Sequence, residues 1–126
     1  MSNKDGKILI LPGDGIGPEV NKALLRLINS VNKHTFYNLD IEEGLIGGAS
    51  YDKFKLPITD QVLEKANNAD AVILGAVGGP KYDSLPFKLK PERGLLKLRK
   101  ELDLYANIRP AKAFNALKEA SSLKSE

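Results

Sequence analysis

Arg99 follows Leu95 by four residues and Leu96 by three. On a helix those side chains share a surface with the guanidinium. A planar cationic fork beside branched aliphatic groups can hold a carboxylate carried on an apolar tail. It can equally be a long side chain lying over an ordinary amphipathic helix with its charge in water. Arg109, just before Pro110, offers a second fork. Glu92 stands one turn before Leu96, where an acid in a first helical turn needs no role beyond the helix dipole. A second candidate is the turn Gly13-Asp14-Gly15-Ile16-Gly17-Pro18, set between an apolar run and a helix. Such a turn can aim backbone amides at an anion, or can serve backbone geometry alone. It departs from the dinucleotide fingerprint, which wants a glycine where Pro18 stands. His34 is the sole histidine, just past an amphipathic stretch, and reads as a surface residue; Asp14 reads as a turn residue. No carboxylates at i and i+4 face one pocket to make a metal site. The absence of cysteine removes thiolate nucleophiles, thiolate metal sites and disulfides.

These residues need elements to position them. Lys7–Leu11 is an unbroken apolar run, the pattern of a strand buried on both faces in a parallel sheet. Pro18 and Glu19 suit the first turn of a helix whose apolar stripe is Val20, Ala23, Leu24, Leu27, Ile28 and Val31. A second strand over Phe36–Ile41 completes a βαβ unit. Glycines at 47–48 and the segment Lys55-Leu56-Pro57 predict a loop, and Thr59 caps a short helix with Val62, Leu63 and Ala66. Ala71–Leu74 predicts another buried strand, Lys81–Pro91 a long exposed loop, and Leu95, Leu98 and Leu102 a further helix. Tyr105–Arg109 is expected to be a strand, and Phe114–Leu123 a weak helix.

The 126 residues suit one ordinary domain, with 42% hydrophobic and 28% charged residues, which excludes a disordered polyelectrolyte. No apolar run reaches membrane-spanning length, and the N-terminus lacks the pattern of a secretory signal, so a cytoplasmic protein with no membrane partner is expected. The net charge of +3 is uneven: residues 81–126 carry eleven basic and six acidic side chains. Without a dense basic block or interleaved aromatics, this favours a small anionic ligand and no nucleic acid.

Three blocks together carry a resemblance. Leu11-Pro12-Gly13-Asp14-Gly15-Ile16-Gly17-Pro18-Glu19-Val20 resembles the opening motif of the β-decarboxylating dehydrogenases, the isocitrate/isopropylmalate family. Asp70-Ala71-Val72-Ile73-Leu74-Gly75-Ala76-Val77-Gly78-Gly79-Pro80-Lys81 is similar to the family's next shared block. Gly94-Leu95-Leu96-Lys97-Leu98-Arg99-Lys100-Glu101-Leu102-Asp103-Leu104-Tyr105-Ala106-Asn107-Ile108-Arg109-Pro110 selects within it. Isocitrate-type members place small polar residues where Leu95 and Leu96 stand; the leucines resemble the isopropylmalate branch, whose pocket takes an isopropyl group.

The resemblance implies an isopropylmalate dehydrogenase-like α/β fold that is not a Rossmann domain, with a partly parallel sheet flanked by helices. Residues 1–104 would belong to the first, cofactor-side domain and 105–126 to the start of the second. By position, Arg99 and Arg109 would bind the malate carboxylates, and Leu95 and Leu96 the alkyl branch. The cofactor, NAD, would meet Ile16 and the segment Gly79-Pro80-Lys81-Tyr82-Asp83-Ser84-Leu85-Pro86-Phe87-Lys88-Leu89-Lys90-Pro91-Glu92, with Glu92 at the nicotinamide end. The implied reaction is oxidative decarboxylation of 3-isopropylmalate to 2-oxo-4-methylpentanoate, in leucine biosynthesis, by a homodimer using Mg2+ or Mn2+. The family's catalytic tyrosine, its catalytic lysine and its metal-binding aspartates have no counterpart before Glu126. The chain is therefore expected to be an N-terminal portion of the enzyme, inactive alone. A sister specificity (tartrate/malate or homoisocitrate) and a non-enzymatic α/β module that binds a nucleotide are the alternatives.

Overall fold

The apolar run at Lys7–Leu11 lies inside a longer strand, β1 (Lys4–Gly13), which both other strands flank. The structure is a computed structural model that describes residues 4–111 together with 114, 116 and 120. With β2 (Tyr37–Glu43) and β3 (Ala71–Ala76), β1 forms a parallel sheet of order β2-β1-β3. The register sets Ile8 beside Ile41 on one side and Ala71 on the other. Among the described residues four α-helices connect or cover these strands: α1 (Gly17–His34), α2 (Gly48–Phe54), α3 (Asp60–Asn67) and α4 (Pro91–Glu101).

Alternation along β1 divides the core. Leu9 and Leu11 point to one face, where they join Ile46, Ile58, Val62, Leu63, Ala66 and Leu98 in the main cluster, built by α3 and α4. Ile10 points to the other face, which α1 covers; Ile28 is the buried apolar residue of that helix. Pro18 and Glu19 occupy the first turn of α1, and Lys33 and His34 the last, so the charges of Glu19 and Lys33 are matched to the helix dipole. Thr59 caps α3, its hydroxyl accepting from the Val62 amide at 3.4 Å.

Several expectations change. The glycines at 47–48 open α2 and not a loop; its last turn closes on Lys55 in the left-handed conformation. Phe36 precedes β2 and stacks on Tyr37, ring centroids 4.7 Å apart. β3 is only half-buried, because a strand with one neighbour is covered on one side alone. Of the stripe on α1, Val20 and Leu27 are exposed at 53% and 61%. The long loop after β3 is tightened by two single 3-10 turns, Pro80–Tyr82 and Phe87–Leu89. Tyr105–Arg109 is not a strand: Asp103, at φ 47, turns the chain off the end of α4, and Tyr105 is fully exposed, with no ladder to complete. The helix expected over 114–123 falls almost wholly outside the described residues. Among the described residues no helix is long and apolar enough to cross a membrane.

The open edge of β3 and the bare stripe on α1 carry a stability consequence. The 126-residue chain alone is expected to unfold broadly and to self-associate. Thermal unfolding by circular dichroism at several concentrations checks this. A sharp, reversible, concentration-independent transition above about 60 °C, near the top of the mesophile range, would overturn it.

Candidate functional site

The strand order places a crevice. The chain runs from β1 through α1 to β2 on one side and then crosses back to β3 on the other, and ligands of open α/β sheets bind outside the strand ends where the strand order reverses in this way. Here the turn after β1 meets the glycine-rich end of β3. Gly13, at φ 74, packs so tightly on β3 that a Cβ would land inside the Ala76 carbonyl oxygen. For Gly13 the backbone-geometry reading therefore wins. Gly15 faces open space, and the exposed side chain of Ile16 stands beside it as the residue before α1.

Asp14 does far more than shape its own turn. Its amide donates to the Ala76 carbonyl at 2.6 Å. Its Oδ2 accepts from the amides of Gly48 at 2.7 Å and Gly78 at 2.8 Å, and Oδ1 from that of Ala49 at 2.7 Å. A carboxylate only 7% exposed thus caps α2, which has no side-chain cap of its own, and pins the end of β3. Three charge-assisted bonds offset the cost of burying it.

The segment 79–92 then folds back over α2. The Tyr82 ring lies against Gly48 so closely that any side chain there would occupy the ring's position. Its hydroxyl donates to Asp52 Oδ2 at 2.9 Å, and Lys81 Nζ reaches the same oxygen at 2.6 Å. Lys81 and then Tyr82 hold the Asp52 carboxyl below the ordinary aspartate range, while Asp52 raises Lys81 in return. Burial first, and then the bond to Asp52, push the Tyr82 phenol up. Farther along, the Arg93 guanidinium sits 4.7 Å from the Phe87 ring centroid, tying the second 3-10 turn to α4. Glu92, in the first turn of α4, reaches back over the end of β3: a Cβ on Gly78 would meet its Oε1 at 2.5 Å.

On α4, Pro91, Gly94 and Leu98 face the core. Glu92, Leu95 and Arg99 share the adjoining stripe by their spacing, with Leu95 and Arg99 half-buried. Leu96, 48% exposed, turns elsewhere: with Leu56, Ile58, Leu89, Lys97 and Lys100 it lines a groove of about 810 Å³. The two leucines thus diverge. Arg109 lies exposed beyond α4, its Nε donating to Asn107 at 3.4 Å, and among the described residues no contact joins it to Arg99. Among the described residues there is also no cluster of three His, Asp or Glu side chains able to hold a metal ion. Asp52 and Gly48 are the site residues that sequence reasoning missed. Gly48 left a signal in its glycine pair, whereas an exposed aspartate leaves none.

The isocitrate/isopropylmalate dehydrogenase family model matches residues 7–126. The chain is 55% identical to a 3-isopropylmalate dehydrogenase of Ruegeria pomeroyi over all 126 residues, which cover 34% of that relative. It is 56% identical to the 3-isopropylmalate dehydrogenase of Pelagibacter ubique over 123 residues, 98% of this chain and 33% of the relative. The chain therefore spans about a third of the length of the curated relatives it matches. Among solved structures, the apo β-decarboxylating dehydrogenase of Thermococcus kodakarensis superposes with a TM-score of 0.61. That pair is 33% identical, covering 79% of this chain and 27% of the other.

The Asp14 bonds set a measurable expectation. Asp14→Asn keeps one acceptor oxygen but turns an amide donor toward backbone N–H groups, and should lower stability by about 1–3 kcal/mol, read from the urea midpoint. An unchanged midpoint would mean the three amides are satisfied without it.

Proposed function

Because the chain belongs to the isocitrate/isopropylmalate dehydrogenase family, we propose that it forms the cofactor-side part of an NAD-dependent enzyme that oxidatively decarboxylates 3-isopropylmalate. The observation that carries this reading is the stripe Glu92–Leu95–Arg99 on α4, set directly after the segment that folds over the strand ends. On one helix face it offers a carboxylate, an apolar contact and a carboxylate-binding fork. Arg99 takes one malate carboxylate, and Arg109 another once the chain beyond Leu104 is placed as the start of a second domain. Leu95 packs against the isopropyl branch, while Leu96, turned toward the neighbouring groove, does not share that contact. The sister specificities for tartrate/malate or homoisocitrate fit less well, since their substrates offer these leucines no branched alkyl group.

The open space at Gly15 and Gly79, with Ile16 exposed beside the first, suits a nucleotide laid across the crevice. NAD+ bound there supplies the hydride acceptor for the substrate's C2–H. The protein's part is to hold that carbon in reach, orient the carboxylates and keep Glu92 at the nicotinamide end. The Mg2+ or Mn2+ that the family resemblance implies finds no fitting cluster among the described residues, so this chain's share of the reaction is binding and orientation. The functional unit is a homodimer.

The test is a hybrid enzyme whose first third is this chain and whose remaining two thirds come from the Ruegeria pomeroyi relative. It should reduce NAD+ with 3-isopropylmalate, and failure to do so in a folded hybrid would sink the reading. In the same hybrid, Arg99→Ala should lower kcat/KM for 3-isopropylmalate roughly ten- to 150-fold, the loss of a charge-assisted bond, with the KM for NAD+ little changed. An unchanged kcat/KM would leave Arg99 as a surface side chain. Leu95→Ser should lower efficiency with 3-isopropylmalate about four- to tenfold more than with unbranched malate, from lost apolar burial. Equal losses on the two substrates would make Leu95 a packing residue only.

A further inference from the structure

Asp52 sits on the outer face of α2, exposed, in no motif. One of its oxygens nevertheless receives two consecutive residues of the 79–92 segment, Lys81 and Tyr82. The same helix is gripped at its first turn by Asp14, which also holds the Gly78 amide. The segment is thus fastened to α2 at two places, its root at Gly78 and a second point at 81–82. Between them lies Gly79, at φ 158, directly after Gly78 at φ 101, backbone conformations that side-chain-bearing residues rarely adopt. Gly79 has open space around it, so the chain between the two fastenings can turn there. With the root held by Asp14 and the far end by Pro91 and the Phe87–Arg93 contact, the placing of the chain between them is set by the outer fastening. The Tyr82 ring seats there only because position 48 has no side chain.

We propose that Asp52 is a positioning residue for the cofactor: by holding Lys81 and Tyr82 it fixes the 79–92 segment on α2, and so governs cofactor affinity while touching neither cofactor nor substrate. This rests on the reading above that the segment borders the cofactor. It also revises the roles of Lys81 and Tyr82, whose side chains are committed to Asp52, leaving the segment's backbone to face the ligand. Both bonds are partly exposed, so the expected effect is modest.

The experiment uses the hybrid with Asp52→Asn, read in two ways. Hydrogen exchange by mass spectrometry should show the amides of 82–89 exchanging severalfold faster. The KM for NAD+ should rise about three- to tenfold, while the KM for 3-isopropylmalate stays within about twofold. Asp60→Asn, which breaks the comparably exposed Asp60–Lys97 pair, should move neither reading. Unchanged exchange with an unchanged KM for NAD+, or an equal rise in both KM values, overturns the proposal. Should the unsubstituted hybrid fail to turn over, the functional reading falls, and exchange alone still decides whether Asp52 fastens the segment.

Discussion

A single buried carboxylate organises the end of this sheet. Asp14 lies where β1 stops, and its two oxygens collect amides from the start of α2 and from the end of β3. The residue before α2 is Gly47, with no side chain to cap it, and the Gly78 amide sits at a turn where the strand ladder has ended. The donors are backbone amides and the acceptor is a side chain shielded from water, and each bond is short, at 2.7 to 2.8 Å. The position of α2, the trajectory out of β3 and the shape of the crevice follow from one side chain.

What hangs from that point is graded. Nearest the carboxylate, glycine packing leaves no freedom: Gly13 against Ala76 and Gly48 against the Tyr82 ring are contacts that a methyl group would break. One step out, the Asp52 pair with Lys81 and Tyr82 is exposed and screened by solvent. Farther still, Asp83–Pro86 bridges the two 3-10 turns before Arg93 and Phe87 meet. The segment is thus held at its root, at Lys81 and Tyr82, and again where Phe87 meets Arg93 and the buried Pro91 opens α4, with exposed residues between these points.

The elements legible in the sequence are those whose determinants are local. The unbroken run at Ile8–Leu11, Pro18 and Glu19 at a helix start, Thr59 as a cap and the leucine spacing of α4 all act within a turn or two of themselves. The spacing of Leu95 and Arg99 is local too, but the same spacing rule also put Leu96 beside Arg99 and set Glu92 against Leu96. α2 was illegible because its cap stands 34 residues earlier in the chain. Seven residues are also too few for a periodic stripe to declare itself. Tyr105–Arg109 has a strand's composition, but a strand exists only with a ladder partner, and that is a property of distant sequence. Leu95 and Leu96 look equivalent as neighbours in sequence, yet the helix turns one toward Arg99's stripe and the other toward a basic groove. Asp52 is invisible for the same reason as α2: its partners lie 29 and 30 residues away.

The sheet order also fixes how the chain must come together in time. β1 is both the first strand and the central one, and every pairing it makes is parallel, so none can form through a hairpin. Lys4 waits for Tyr37, and Ile8 for Ala71. Closing loops of that length carries an entropic cost before any ladder compensates it, which slows folding relative to a chain of local contacts. In that interval the most hydrophobic segment of the molecule has both backbone edges unsatisfied. The period between the appearance of Ile8–Leu11 and the arrival of Ala71–Leu74 is therefore when strand pairing between separate chains competes best with the native sheet.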